Sequence, residues 1–157
     1  YSDYLKKSTK KLPLLIADLK EDAIDRILED EKITEIKSSL RFPGYIANTD
    51  LAALYGGAFA FLYPSLRESF GIPMLEAMAC GTPIIAGNTS AMPEIAGEGA
   101  LLADPFNVED ITDKILQLEE DEAFYQQQVE YGLNHSRMFS WRNTAESLLK
   151  IYKEFSE

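Results

Sequence analysis

Cysteine and long apolar runs are scarce in this sequence. Its 157 residues include one cysteine, Cys80, so no disulfide can form within the chain. The apolar surroundings of Cys80 favour a small buried hydrophobe over a nucleophile. No segment reaches the roughly 18 consecutive apolar residues that a membrane span needs. We therefore expect a cytoplasmic protein in a reducing compartment.

Positive charge is also scarce, with 15 lysine and arginine residues against 26 aspartate and glutamate residues and a net charge of −11. Nucleic-acid binding depends on neutralising phosphates, so nucleic acid is not expected as the main partner. The sequence likewise lacks a polybasic patch for a membrane surface. A nucleoside diphosphate remains compatible with this charge, because a few backbone amides can hold it.

The hydrophobic pattern alternates between strands and helices. Apolar runs at 12–19, 41–46, 58–63, 83–86 and 100–102 predict strands. The intervening segments predict helices, with N-cap chemistry at 48–50 and helical structure from 107 onward that breaks near Ser140. Strands that are apolar along their length and alternate with helices indicate an α/β fold, a Rossmann-like doubly wound parallel sheet. Because residues 1–11 look like the end of a helix, we expect the first strand to be missing from this sequence.

The segment 63–85 is the candidate binding region. It predicts a strand end, a loop, a helix N-terminus and the next strand, and ligands of such sheets bind at the carboxyl ends of the strands. Pro73 suits the first turn of the helix, and Gly71 allows the backbone to approach a ligand closely. Backbone amides at this helix N-terminus suit a diphosphate.

Two glutamates, Glu68 and Glu76, lie on either side of this turn. Carboxylates accept hydrogen bonds from sugar and ribose hydroxyls. In a chain with 26 acidic residues, however, such a pair also fits an ordinary solvated surface, and the helix dipole favours a glutamate in the first turn. The pair by itself does not define a site.

The wider context of the two glutamates resembles a known signature. The pattern Pro-Ser-x-x-Glu-Ser-Phe-Gly-x-Pro-x-x-Glu-Ala-Met-Ala-x-Gly-x-Pro is complete from Pro64 to Pro83. It is similar to the hallmark of the retaining GT-B glycosyltransferases of family 4, the glycosyl transferases group 1. Matching segments follow the same order outside it, at 42–46, 92–95, 102–105 and 139–141. The resemblance therefore covers nearly the whole chain.

The resemblance implies the C-terminal, donor-binding half of a GT-B enzyme. Residues 1–139 would form a partial Rossmann-like domain, and 140–157 a helix that packs back toward an N-terminal domain. The implied reaction transfers a glycosyl group from a sugar nucleotide to a glycan or lipid-linked acceptor, with retention of configuration. The alternative is a degenerate domain that is kept for binding or assembly. The implied setting is polysaccharide biosynthesis, at the inner face of the membrane in the full-length protein.

The resemblance also implies a role for each site residue. Glu68 is the implied catalytic residue, which orients the donor sugar. Glu76 would bind the ribose, and Ile46 would lie by the nucleobase, although Tyr45 and Ile46 also suit an ordinary core. The sugar and phosphates would be held by the turn residues Ser69, Phe70, Gly71 and Ile72.

No metal or other cofactor is expected. The family's arginine and lysine that grip the diphosphate have no matching segment in this sequence.

Overall fold

The computed structural model describes residues 1–155, so the last two residues of the predicted segment 140–157 lie outside the described part. Strands and helices alternate through most of it, as the sequence predicts. The strands are β1 (Leu14–Leu15), β2 (Leu40–Arg41), β3 (Phe61–Tyr63), β4 (Ile84–Gly87) and β5 (Leu101–Ala103). The helices are α1 (Ser2–Lys7), α2 (Glu21–Asp30), a 3₁₀ helix (Thr34–Ser39), α3 (Asn48–Gly57), α4 (Ile72–Ala79), α5 (Met92–Ala96), α6 (Val108–Glu120), α7 (Glu122–Ser136) and α8 (Trp141–Glu154).

All strand pairs are parallel, which confirms the predicted sheet type. The strands form a two-stranded sheet, β1–β2, and a three-stranded sheet, β3–β4–β5. Leu14 lies opposite Leu40 in the first sheet, and Leu62 lies opposite Ile85 in the second. Parallel strands require crossover connections, and the helices between the strands supply them.

A groove of about 500 Å³ lies between β1 and β3 and is lined by apolar residues of both strands. With this groove between the sheets, the spatial order is β2, β1, groove, β3, β4, β5. In a common doubly wound order, the first strand of the chain lies between the second and the fourth. The groove is therefore where the strand expected from the sequence would join the two sheets. That strand stays a prediction.

Strand β4 lies at the centre of the larger sheet, and all four of its residues are buried. On one face, the core includes Met74 and Met78 of α4 together with Met92 of α5, and on the other it includes Ile115 and Leu118 of α6. Complete burial of such a side chain contributes roughly 1.5–3 kcal/mol. These contacts place the N-terminus of α4 at the carboxyl ends of β3 and β4.

Three local features differ from the sequence-based expectations. Helix α5 was not predicted, because its five residues are too few for a periodic pattern. Helix α3 begins at Asn48 with Ala47 in the capping position, and no side chain among the described residues caps it, so the predicted side-chain cap within 48–50 is wrong. The first two strands are shorter than the predicted runs 12–19 and 41–46, since β1 has two residues and β2 is Leu40–Arg41. Leu15 of β1 is exposed.

Helix α8 stands apart from the rest of the described fold in its burial, since none of its residues is buried. Its large apolar side chains Trp141, Leu148 and Ile151 are exposed, as is the following Phe155. In the described range 1–155, every helix is too short or too polar to cross a membrane.

Candidate functional site

The loop at 64–71 connects the end of β3 to the start of α4. Its last residue, Gly71, has φ 92° and ψ 45°, a left-handed conformation that strongly favours glycine. Helix α4 then begins at Ile72 with Pro73 in its first turn, as the sequence predicts. Within the described residues, no side chain caps this N-terminus. Pro73 has no N–H and the Met74 amide donates to the carbonyl oxygen of Gly71 at 3.0 Å, so the amides of Gly71 and Ile72 are the ones available to an anionic ligand.

This loop lies directly against the end of β4. A Cβ atom at Gly87 would lie 2.7 Å from the carbonyl oxygen of Ser65 and 2.9 Å from Cε of Met92. Real Cβ atoms do not approach other heavy atoms so closely, so only glycine fits at this position. The absence of a side chain at Gly87 thus allows the loop to pack on the sheet.

Two hydroxyls of the loop after β4 also hold the 64–71 loop. The Ser90 hydroxyl donates to the carbonyl oxygen of Glu68 at 2.6 Å and lies 3.2 Å from the Glu68 amide, which donates to it. The Thr89 hydroxyl donates to the carbonyl oxygen of Leu66 at 3.2 Å. The backbone on both sides of Arg67 is thereby attached to a neighbouring loop.

The side chain of Glu68 is half-buried and accepts two hydrogen bonds on the same oxygen. The hydroxyl of Tyr63 lies 2.7 Å from Oε1 of Glu68, and the hydroxyl of Ser65 lies 3.2 Å from it. Burial, then the hydrogen bond and charge of Glu68, with a smaller effect of Tyr55, raise the pKa of Tyr63 to about 12. Tyr63 is therefore a protonated hydrogen-bond donor at neutral pH.

The other predicted turn residues differ in exposure. Gly71 is buried, Ser69 is exposed, and Phe70 and Ile72 are 41% and 48% exposed. Phe70 makes an edge-on contact with Phe139, with ring centroids 6.1 Å apart. The turn therefore presents an apolar surface beside the free amides of Gly71 and Ile72.

Phe139 belongs to a row of contacting aromatic rings that supports α5. His135 contacts Phe139 and stacks on Tyr131. The Tyr131 hydroxyl donates to the carbonyl oxygen of Ala96 at 2.9 Å, and Nε2 of His135 lies 2.8 Å from that of Ile95. These rings cap the C-terminus of α5, which gives the single histidine a structural contact.

Glu76 lies one turn inside α4, in different surroundings from Glu68. It is exposed and lines a recess of about 370 Å³ between α3 and α4, together with Asn48 and Tyr55. Burial, followed by the charge of Glu76, raises the pKa of Tyr55. The half-buried Ile46 precedes Asn48 by two residues and is not among the residues that line this recess.

Sequence reasoning did not assign a role to Tyr63, Ser65 or Ser90, all of which contact Glu68. Ser65 belongs to the recognised signature, so its position was a usable signal. Tyr63 fits the apolar pattern of a strand, and Ser90 precedes a helix that was not predicted. Among residues 1–155, no three His, Cys, Asp or Glu side chains are grouped to hold a metal ion.

The segment that contains this loop and α4 matches a known protein family. A model of the family described as glycosyl transferases group 1 matches residues 2–135, which include the whole loop, α4 and both glutamates. The chain belongs to this family.

Two mannosyltransferases are similar to this chain in sequence. O-antigen chain mannosyltransferase B of Escherichia coli is 40% identical over 114 residues, which are 73% of this chain and 30% of that protein. The serotype-specific mannosyltransferase WbdA of Escherichia coli is 36% identical over 138 residues, which are 87% of this chain and 17% of that protein. The chain thus spans less than a third of the length of these relatives.

Two solved structures have the same fold. HepE from Anabaena, solved in complex with UDP, has a TM-score of 0.81 at 19% identity, over 98% of this chain and 44% of that one. The C-terminal domain of the group 1 family protein LpcC from Francisella tularensis has a TM-score of 0.71 at 25% identity, over 87% of this chain and 73% of that one. These matches agree with the predicted Rossmann-like C-terminal domain.

Proposed function

We propose that this chain is the donor-binding half of a glycosyltransferase that transfers a glycosyl group from a sugar nucleotide with retention of configuration. The observation that supports it most directly is the uncapped N-terminus of α4 at the open end of the sheet, with Glu68 before it and Glu76 within it. Membership of the glycosyl transferases group 1 over residues 2–135 adds the reaction class.

In this proposal the diphosphate lies at the N-terminus of α4. The amides and the helix dipole stabilise the negative charge that develops on the leaving phosphate. Ser69, Phe70, Gly71 and Ile72 hold the sugar and phosphates, and Glu68 is the catalytic residue that orients the sugar. The leaving phosphate helps to deprotonate the acceptor, and the reaction uses no resident metal.

The nucleoside would occupy the recess that Glu76 lines. Its volume of about 370 Å³ lies in the range of small-molecule sites. Glu76 would accept from the ribose hydroxyls. The base would then lie toward the segment that contains Ile46.

The named relatives suggest the donor and acceptor classes. Two of them are mannosyltransferases, one of an O-antigen chain, so a mannosyl donor and a growing polysaccharide or lipid-linked acceptor are the first candidates. HepE was solved with UDP, so uridine nucleotides belong in the same test. Such an acceptor would place the full-length protein at the inner face of the membrane.

An N-terminal GT-B domain of the same protein would supply the acceptor side. The relatives' greater length supports this partner, and the exposed apolar side chains of α8 offer a surface for it. In this arrangement the segment 140–157 packs back on the N-terminal domain, while 1–139 holds the donor.

The test measures binding of UDP-, GDP- and ADP-sugars to the full-length gene product, and nucleotide release with an acceptor mixture. We expect one preferred nucleotide, with affinity that falls at least tenfold in Glu76→Ala, as expected for a lost hydrogen bond to a charged group. Glu94→Ala, which changes an exposed glutamate of α5, is the matched control. A folded full-length protein that binds none of these donors would favour the degenerate module and contradict the enzymatic proposal.

A further inference from the structure

We propose that Tyr63 is a positioning residue that holds the carboxylate of Glu68 in one orientation, with Oε1 toward the protein and Oε2 toward the donor. This inference rests on the proposed function, because it assigns a direction to the carboxylate that would orient the sugar. It adds a residue and an atom-level arrangement that the signature itself does not provide.

The first argument is the distribution of hydrogen bonds. Both hydrogen bonds to the Glu68 carboxylate within residues 1–155 end on Oε1, from Tyr63 at 2.7 Å and from Ser65 at 3.2 Å. With two donors on Oε1, Oε2 keeps its full capacity to accept from ligand hydroxyls. A carboxylate with one occupied oxygen presents the other in a defined plane.

The second argument is the rigidity of Tyr63, the hydrogen-bond donor. Tyr63 is the last residue of β3, it pairs in register with Ala86 of β4, and its ring stacks on Phe61 with centroids 5.6 Å apart. Its hydroxyl is therefore held by the sheet, whereas Ser65 lies on the same loop as Glu68. Of the two residues that donate to the Glu68 carboxylate, only Tyr63 belongs to the sheet. Tyr63 therefore fixes the position of the carboxylate relative to the rest of the fold.

The third argument is protonation. The Tyr63 hydroxyl is protonated at neutral pH even at the ordinary pKa of 10.0, and burial followed by the Glu68 carboxylate raises its pKa further, to about 12. A protonated phenol donates a hydrogen bond, and an ionised carboxylate acts only as an acceptor. Ionised Glu68 is the form that receives hydrogen bonds from sugar hydroxyls.

The first experiment tests the contact without any turnover. In full-length protein labelled with ¹³Cζ-tyrosine, the Tyr63 resonance is assigned by its loss in Tyr63→Phe and is then titrated. We expect a pKa of about 12 in the wild type, and a shift toward the ordinary value of 10.0 in Glu68→Gln. An ordinary pKa in the wild type, or one that Glu68→Gln does not move, would overturn the inference.

The second experiment tests positioning by a double-mutant cycle in the full-length enzyme. Tyr63→Phe should lower kcat about tenfold and leave the affinity for the free nucleoside diphosphate within about twofold, since the diphosphate lies at α4. In the Glu68→Gln background, Tyr63→Phe should change kcat by less than about twofold. An equal loss in both backgrounds would show that Tyr63 acts independently of Glu68.

Tyr125→Phe is the matched control, because it also removes a phenol hydroxyl, from a half-buried ring that stacks on Phe59 away from the loop. Its kcat should equal that of the wild type, and an equal loss there would contradict a specific role for Tyr63. Turnover that is unchanged in Glu68→Gln would contradict the proposed function instead. In that case the titration alone decides whether Tyr63 holds Glu68.

Discussion

The Ser8 hydroxyl, just after α1, lies 2.7 Å from Oε2 and 2.9 Å from Oε1 of Glu119 in α6. The Glu119 carboxylate is buried and also accepts from the hydroxyl of Tyr4, from the amide and hydroxyl of Thr9 and from the amide of Lys10. Burial alone would raise the pKa of Glu119, but these hydrogen bonds outweigh it and lower the pKa from 4.5 to about 2. Glu119 thus attaches the segment that leads into β1 to the main core.

Replacement of this carboxylate should destabilise the fold. We expect Glu119→Gln to lower the free energy of unfolding by about 1.5–3 kcal/mol at pH 7, since an amide nitrogen would face hydroxyl and amide donors. Urea unfolding of both proteins measures the difference. Glu120→Gln, which changes the exposed neighbour, should stay within about 0.5 kcal/mol of the wild type. Equal effects at the two positions would contradict a special role of Glu119.

The same carboxylate predicts a pH dependence. The folded pKa is lower than the unfolded one, so the contribution is complete above pH 4.5 and disappears as the pH falls toward 2. The stability difference between the wild type and Glu119→Gln should therefore be constant from pH 6 to 8 and shrink between pH 4.5 and 2. Urea unfolding at each pH tests this, and a difference that stays constant down to pH 2 would contradict it.

The sequence predicts the class of the fold well because local patterns determine it. Apolar runs identify β3 and β4, and Gly71 with Pro73 predicts that α4 starts at Ile72 or Pro73, which agrees with the observed start at Ile72. The hydrophobic pattern does not predict which strands pair, because pairing depends on which strand edges meet in space. The sequence does not predict helix α5, because five residues show no helical periodicity and the helix is stabilised by the packing of Met92 and Ile95 in the core.

The site shows a similar division. The signature identifies Glu68 and Glu76, whose assigned roles remain predictions, and the structure places them in different surroundings. The signature does not identify Ser90, which lies 22 residues after Glu68 in the sequence and contacts it only because the fold brings the two loops together. Hydrogen bonds between two loops form only where the loops come close together. Here the 64–71 loop can approach the end of β4 because Gly87 has no side chain.

The close approach at Gly87 predicts a sensitive position. Gly87→Ala would place a Cβ atom 2.7 Å from a backbone oxygen of the 64–71 loop, so the loop must shift. We expect a loss of about 1–3 kcal/mol in stability and weaker donor binding. Thermal unfolding and nucleotide binding measure both. Gly57→Ala is the control because a Cβ atom there would meet nothing within 4 Å, and an equal loss in Gly57→Ala would contradict a steric cause.

The hydrogen bonds of Ser90 should protect the Glu68 amide from hydrogen exchange without affecting the stability of the whole fold. Ser90→Ala removes both the donor to the Glu68 carbonyl and the acceptor for the Glu68 amide. We expect hydrogen exchange at the Glu68 amide to accelerate about two- to tenfold, with little change in the unfolding midpoint. Exchange detected by NMR measures this. The amide of Ile115, in the buried part of α6, should exchange at the wild-type rate, and parallel acceleration there would indicate general destabilisation instead.

The exposed apolar face of α8 predicts that the same substitutions will have different effects in this chain and in the full-length protein. Leu148 and Ile151 are each 48% exposed and lie three residues apart, on one face of the helix. If that face packs on an N-terminal domain, Leu148→Ser with Ile151→Ser should cost about 2–4 kcal/mol in the full-length protein. In the 157-residue chain the same change should cost far less, because little burial is lost.

Thermal unfolding of the two proteins, each with and without the double substitution, makes this comparison. Lys150→Ser is the matched control, since it changes an exposed residue off the Leu148–Ile151 face and carries the same helix propensity change to serine. It should have a small effect in both proteins. A double substitution that is equally mild in the full-length protein would mean that α8 remains exposed there, and would contradict the proposed packing of 140–157.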